Sequence, residues 1–575
     1  MALSKQDREF RLSQISYLHF KRLAMDRVLI AFFARLHHRG FPHRLLRKTE
    51  LTTDAFVEKF LDQPEWFRGF ASHPEILRRW IETQLMDMVN RGKPNQAIAA
   101  PRPLHGITYR FRNPKRSLDY GASQHLYEML HGARDGKGDQ AIEQLRRFFF
   151  QGYDPVTGRV TRDVPLDVET RALMRLLDHV DDRPDTTARV CHPPLCVGAA
   201  DLLAADVMRL LCYQHFVPRS VMVDYVKVLF SFHLALYHLR LLKLLPALLQ
   251  QKEAGSNLPH CAQCTLDRQR PETSLSETDS GETQASCPYQ VGLLVDLTAQ
   301  SDSHMAVSAQ QSADTHFRRI PAFVKAYFTT KKLHEFALSL VQRAKLPHPA
   351  TGHFRVEEIW HCLEPTYTAE RNSFFQQRVS RLVQDGSEEG NGGLDPAIEA
   401  ATTMGLDAFG TYIEILMALR GPSHRTEIAA CIDSLLLKNR PGALVAQSGT
   451  RAMSSRRFIL DSRLLEVLLQ LAVLRPGGRL GYHSRELRVD ELSAFLRKRY
   501  GLYIDRLPGD DGFRDPSITD HKALRSNLQA FTSRLRKIGF YHDLSDAYLT
   551  QTITPRYQVG PDGETATHTA SRGEI

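Results

Sequence analysis

Apolar side chains recur every three or four residues through most of this chain, the spacing that gathers them into one stripe of a helix and leaves the rest of the surface polar. Stretches 10–37, 53–61, 73–90, 122–130 and 140–150 carry this spacing, and each predicts a helix. Between them, Gly106-Ile107-Thr108-Tyr109-Arg110-Phe111-Arg112 alternates with period two and reads as a solvated edge strand or a basic arm. Residues 199–214 and 218–250 predict two more helices, the second kinked or ended near Pro246. Within 289–298, Val291-Gly292-Leu293-Leu294-Val295-Asp296-Leu297 is the clearest buried strand. Helical spacing returns at 317–343, 370–383, 396–419 and 427–437.

Two stretches interrupt the pattern. Residues 270–286 are rich in Glu, Ser and Thr and bury too little to order themselves, which predicts a flexible loop. Residues 384–395 hold Gly386, Gly390, Gly392 and Gly393 and predict a second loop at a domain boundary. The expected fold is mainly α and multi-domain. A helical N-terminal domain spans 1–184, and a helical middle domain spans 185–385 with a Cys-bearing insertion at 252–288. A helical connector at 396–450 leads to an α+β module at 451–560, and 561–575 is a disordered tail.

The last module carries the most specific pattern. A helix predicted from Asp520 as N-cap to Ile538, stopped by Gly539, places Leu524, Leu528, Phe531, Leu535 and Ile538 on one stripe. Its opposite face reads Lys522, Arg525, Ser526, Gln529, Ser533 and Arg536, cations for phosphates and amide or hydroxyl groups for base edges, with no carboxylate. After Gly539, Phe540-Tyr541-His542-Asp543-Leu544, the turn-prone Ser545-Asp546 and the run 548–553 read as a hairpin. Upstream, 458–474 and 489–500 are helices, the first ended by Pro476-Gly477-Gly478 and the second carrying Arg497-Lys498-Arg499 before Gly501. Helix, strand-like link, helix, helix and hairpin is the order of a winged helix, with the hairpin as its wing.

Charge changes the picture in the same direction. Residues 451–557 hold 19 Lys and Arg against 12 Asp and Glu, so +7 of the chain's formal +10 lies in this module. Such concentration is expected of a phosphate binder, with Lys522 and Arg556 neutralising phosphates beside the groove-facing residues. A protein-pairing winged helix, or a helical bundle with basic faces, fits the same pattern.

Cysteines are the other chemical signal. Cys261 and Cys264 form a C-x2-C knuckle after His260, Cys287 follows across the polar loop, and Cys191 and Cys196 make a second close pair. Zinc takes four N or S ligands, so Cys191, Cys196, Cys261 and Cys264, or Cys261, Cys264, Cys287 and a histidine, would hold one structural ion. Inert thiols are the alternative reading, and Cys212, Cys362 and Cys431 sit in apolar, helical contexts.

Enzyme motifs fail on inspection. Gly132-Ala133-Arg134-Asp135-Gly136-Lys137-Gly138 lacks the glycine spacing and the hydroxyl of a phosphate loop, and Leu338 replaces the second histidine after His334-Glu335. One acidic position stays open as a metal-dependent nuclease or hydrolase centre: Asp296 at a strand end, with Asp302 and His304 after it. The N-terminus shows no secretion signal, and Asp224, Lys227, His233, His238, Arg240 and Lys243 break the apolar run 221–249 too often for a membrane span. A cytoplasmic, membrane-free protein is expected.

With the helical first half, the strand ending in Asp296-Leu297-Thr298, and Arg456-Arg457-Phe458-Ile459-Leu460 leading into Leu464-Leu465-Glu466 and the basic tail, the chain resembles accessory proteins of bacterial anti-phage islands linked to DNA modification. These are the methylation-associated defence and phosphorothioation-dependent restriction systems, and the resemblance covers about half the chain. It implies a non-ATPase component beside separate ATPase, nuclease and methyltransferase subunits, and carries over no catalytic residue. The expectation is a duplex-DNA-binding scaffold subunit. A protein-only assembly adaptor is the alternative.

Overall fold

A helix that is apolar all round has no polar face to give to water, so it must be buried on all sides. Residues Arg219–Glu253 form such a helix at the centre of the protein. By length and composition this helix could cross a membrane, but 89% of its most apolar window is buried inside the protein. It runs through Pro246 without ending, because Leu244, Leu245, Leu248 and Leu249 are all buried around the lost backbone bond. The structure is a computed structural model that describes residues 3–560, except 45–51, 155–165, 176–182, 187–190, 255–286, 288, 299, 350–351, 389–394, 448–454, 478–480, 510, 514 and 542–551. The polar loop at 270–286 and the tail at 561–575 lie outside the described residues. One apolar core runs from Leu3 to Val559.

In the N-terminal region the helix is Met25–His37, and 10–24 is irregular. The apolar residues there are buried on more than one side: Phe10 stacks on Tyr327 at 4.1 Å, and the Leu12 amide donates to the Tyr327 hydroxyl at 2.6 Å. Helix Thr53–Leu61 forms as predicted, behind a Thr52 cap. Stretch 73–90 is helical only as far as Leu85. Its end, Met86–Val89, is a strand paired antiparallel with Ala97–Pro101. The predicted edge strand at 106–112 is instead a buried 3-10 helix, Gly106–Phe111. The Ile107 amide donates to the His105 ring, and a Cβ on Gly106 would lie 2.6 Å from the Phe150 ring.

Farther on, helices Val197–Leu211, His304–Phe317, Ile320–Gln342, Thr368–Glu388 and Ala408–Leu435 surround the central helix or pack on those that do. Helix Thr368–Glu388 continues past Gln384, where a loop was expected, and Ala408–Leu435 continues through Pro422 as one helix. The expected helix at 396–419 is two, because Gly405 turns the chain with φ +69° between Pro396–Thr402 and Ala408–Leu435. The buried strand is short: Leu293–Leu294 pairs parallel with Leu502–Tyr503, and Asp296 bridges to Ile459. It thereby joins the middle of the chain to its C-terminal region.

That region runs in the order strand Arg456–Phe458, helix Ser462–Ala472, hairpin Leu474–Pro476 with Tyr482–Ser484, strand Leu487–Arg488 and helix Val489–Tyr500. Strand Leu502–Tyr503, helix Ile518–Lys537 and strand Thr552–Ile553 follow. Phe458 is thus a strand residue, since Asp461 caps the helix by accepting from the Arg463 amide at 3.0 Å.

The link between the last two helices is pinned by Asp511. Its carboxylate accepts from the Gly292 amide at 3.0 Å, pairs with Lys243 at 3.2 Å, and bonds Arg319. Burial alone would raise this carboxyl, but the Gly292 amide and Arg319 outweigh it and hold it at about 2. A carboxyl lowered on folding contributes stability that is full above its ordinary value of about 4 and is lost as pH falls toward 2. Asp511→Asn should therefore speed proteolytic cleavage within 505–517 at neutral pH and remove part of the acid sensitivity between pH 4 and 2. Parental cleavage rates would show that these bonds do not hold the loop.

Candidate nucleic-acid interface

Helix Ile518–Lys537 starts one turn earlier than Asp520 suggests. Ser517 is the cap: its hydroxyl accepts from the Asp520 amide at 3.2 Å, and the Asp520 carboxylate accepts back from the Ser517 amide at 2.8 Å. The same carboxylate meets His304 Nε2 at 2.7 Å, and the Ser517 and His304 hydrogen bonds hold it at about 2. Gly539, at φ +76°, turns the chain away after the last helical residues.

The inward face buries Leu524, Asn527, Phe531 and Leu535, with Leu528 and Ile538 half-buried beside them. Asn527 is fully buried, and its side chain makes three hydrogen bonds. Its oxygen accepts from the Leu297 amide at 2.8 Å, and its nitrogen donates to the Val295 and Ile504 carbonyls, each at 2.9 Å. Arg534 donates to the Leu460 carbonyl. Two helical positions thus bolt this helix to the strand link and to the chain just before helix Ser462–Ala472.

Lys522, Arg525, Ser526, Gln529, Ser533 and Arg536 all stand exposed on the opposite side, as the spacing required. His521 and Lys537, which the sequence reading left out, are exposed as well. No Asp or Glu occurs from 521 to 537. Arg536 lies over the Tyr541 ring at 5.3 Å, so its guanidinium sits where the helix meets the following strand. Asn527 was missed too. Its signal is a polar side chain three residues after Leu524 and four before Phe531, inside the apolar stripe.

Beyond Gly539, Tyr541 bridges antiparallel to Ile553, and the Thr554 amide donates to the Phe540 carbonyl at 3.0 Å. Strand Thr552–Ile553 also pairs antiparallel with Leu487–Arg488, so three short segments lie side by side against the helices. The expected turn at Ser545-Asp546 lies outside the described residues. Arg556 is not on the exposed helix face. It pairs with Glu466 at 2.5 Å, donates to the Ile538 carbonyl at 2.5 Å and covers Phe540 at 4.6 Å, which ties the returning strand down. Of the basic run before Gly501, Arg499 meets Asp206 and Arg497 meets Asp505, leaving Lys498 exposed.

The other candidate residues stand as follows among the described residues. Cys191 is exposed and its thiol donates to Glu128 at 3.0 Å, while Cys196 is buried and accepts from Arg240 at 2.9 Å. Cys287 is half-buried, Cys261 and Cys264 lie outside the described residues, and no metal-binding group of three or more side chains forms among the described residues. Cys362 and Cys431 are buried, and burial pushes their thiols up to about 11 and about 12. Asp296 is buried: one oxygen accepts from the Thr298 amide and hydroxyl at 2.8 and 2.7 Å, and the other stands in an ion pair with Arg457 at 3.1 Å without a hydrogen bond. His304 turns to Asp520, and Asp302 is exposed.

No curated protein and no solved structure matches this chain. A family model described as "Methylation-associated defense system protein MAD7" matches residues 5–557. With nearly its whole length inside that match, the chain belongs to the family of methylation-associated defence system protein MAD7.

Proposed function

We propose that this protein is a cytoplasmic, non-catalytic scaffold subunit of a methylation-associated defence complex that contacts duplex DNA through a C-terminal winged helix. Ser462–Ala472, Val489–Tyr500 and Ile518–Lys537 are its three helices, Leu487–Arg488 its first strand, and the segments around Tyr541 and Ile553 its wing. The helical body holds the complex's other subunits, the ATPase, nuclease or methyltransferase. One observation carries the reading: a helix fixed by a buried amide with three hydrogen bonds on one face presents cations and amides, without a carboxylate, on the other.

Positively charged side chains that neutralise phosphates release counterions, so log K falls with log salt by about 0.9 per phosphate. Arg525→Ala with Arg536→Ala should weaken duplex binding and flatten the salt slope by about 2 at most, and Arg525→Ala alone, which leaves the Arg536–Tyr541 contact in place, should flatten it by about 1 with the thermal midpoint unchanged. An unchanged slope and affinity would remove this face from DNA and leave the module as a protein contact. A complex with a partner subunit that resists moderate salt, without any duplex shift, is the mark of that adaptor role.

A further inference from the structure

We propose a second nucleic-acid contact at the other end of the chain, a phosphate-gripping ribbon made by hairpin 86–101 and the loop at 113–117. From Met88 to Leu118 the sequence has seven Lys and Arg and no Asp or Glu. Two of the seven serve the interior: Arg112 is buried and donates to the Ser117 carbonyl at 3.0 Å, and Arg110 bonds the Tyr153 hydroxyl at 2.5 Å. Arg91, Lys93, Arg102, Lys115 and Arg116 are exposed.

The fold brings these five together. Strand Met86–Val89 pairs with Ala97–Pro101, which puts Arg91 and Lys93 in the tip and Arg102 at the base. The Asn113 amide donates to the Ala99 carbonyl at 2.8 Å, laying the next loop along the same strand. Asn113 Oδ1 then accepts from the Lys115 and Arg116 amides at 2.9 and 3.2 Å, fixing the turn that carries both cations.

The tip is held in shape before any ligand arrives. Asn90 and Gly92 take positive φ of 53° and 74°, the Gly92 amide donates to Gln96 at 2.8 Å, and Arg91 donates to the Glu82 carbonyl at 2.7 Å. Ordering costs on binding are correspondingly small. Neighbouring acids do not cancel the charge, since Asp87 is paired with Arg27 at 2.8 Å. Glu82, beside the hairpin base, accepts from Gln96 at 3.3 Å and is the carboxylate nearest the tip by these contacts.

A stabilising role would pair these cations, yet Lys93, Arg102, Lys115 and Arg116 have no ion pair among the described residues. Like charges left unpaired on one ribbon repel one another and are better explained by an external polyanion. The strand from Ala97 to Pro101 spans about 13 Å at roughly 3.3 Å per residue, the rise of about four phosphates along one DNA strand. Gly92, Lys93, Pro94 and Asn95 at the tip offer no apolar anchor of the kind a protein interface is built around.

The test uses the full-length protein, duplex DNA and a salt series. The variant Lys93→Ala, Arg102→Ala, Lys115→Ala and Arg116→Ala should flatten the salt slope by up to about 4 and weaken binding at least tenfold at low salt, with the thermal midpoint kept. The charge-preserving Lys93→Arg with Arg102→Lys should bind as the parent does. The same loss should appear in the Arg525→Ala and Arg536→Ala background, because the two surfaces are separate. Parental slope and affinity in the four-residue variant would overturn the ribbon, whatever the C-terminal helix does. Loss there, with the C-terminal variant unaffected, would keep the ribbon and remove the winged helix from DNA.

Discussion

Asp206→Ala is expected to lower the thermal midpoint sharply and to free the helix Val489–Tyr500 from the centre of the protein. Asp206 is fully buried in helix Val197–Leu211, where four donors surround its carboxylate. Arg499 Nε and Nη2 stand at 3.1 and 2.5 Å, His233 Nε2 at 3.0 Å and the Tyr500 hydroxyl at 2.8 Å. Those contacts fill the acceptor sites a carboxylate has and tie three helices at one point. Removing one member of a buried pair leaves the other uncompensated, at a cost of about 3–5 kcal/mol.

Asp206→Asn keeps the shape but removes the charge that Arg499 is paired with, so most of the loss should remain. Burial alone would raise this carboxyl, but Arg499 and the His233 bond outweigh it and hold it well below the usual carboxylate range. Its contribution is therefore full at neutral pH and fades only as pH falls below about 4. The parent should lose stability on acidification through that range more steeply than Asp206→Asn. A melting midpoint of Asp206→Ala equal to the parent's, with unchanged protease resistance at 489–501, would mean the cluster adds nothing.

Where a local signal and the tertiary fold agreed, the sequence was readable to the residue. Helix Val489–Tyr500 ends where Gly501 takes φ +73°, and a Cβ there would lie 2.0 Å from the Val291 carbonyl oxygen. The exposed face of Ile518–Lys537 was legible for a similar reason: its polar residues stand on the side away from the apolar stripe, where helical spacing alone puts them. The partners of Arg556 were not legible, because Glu466 and the Ile538 carbonyl are brought to it by folding, and sequence alone shows only a cation, which the structure leaves exposed.

Residues 10–24 and 106–111 failed for the opposite cause. Both are apolar enough to be buried on several sides, and periodicity reports a single buried face. Asp296 looked exposed to chemistry at a strand end, but its carboxylate holds the turn to Thr298 and the ion pair to Arg457. Pro246 did not end its helix, since tertiary burial compensates for the backbone bond it removes.

Asn527 decides whether the polar face of the last helix is aimed at anything. Asn527→Ala would strip partners from the Leu297 amide and the Val295 and Ile504 carbonyls, three groups in the dry interior between strand link and helix. Each buried group left unpaired costs roughly 1–3 kcal/mol, so the expected result is a lower thermal midpoint and faster hydrogen exchange across 518–537. If the helix contacts DNA as proposed, duplex affinity should fall with it, although no cation is touched, because the helix loses its fixed orientation. Asn527→Asp separates shape from hydrogen bonding. The carboxylate still accepts from Leu297 but faces two carbonyl oxygens with no hydrogen to offer, so at neutral pH it should destabilise the helix at least as much as alanine does. Lowering the pH protonates it and restores one donor, so part of the stability should return in Asn527→Asp and not in Asn527→Ala. If Asn527→Asp melts and exchanges like the parent at neutral pH, the buried amide does not hold the helix, and the aim of its exposed face must come from Arg534 and the Ser517–Asp520 cap instead.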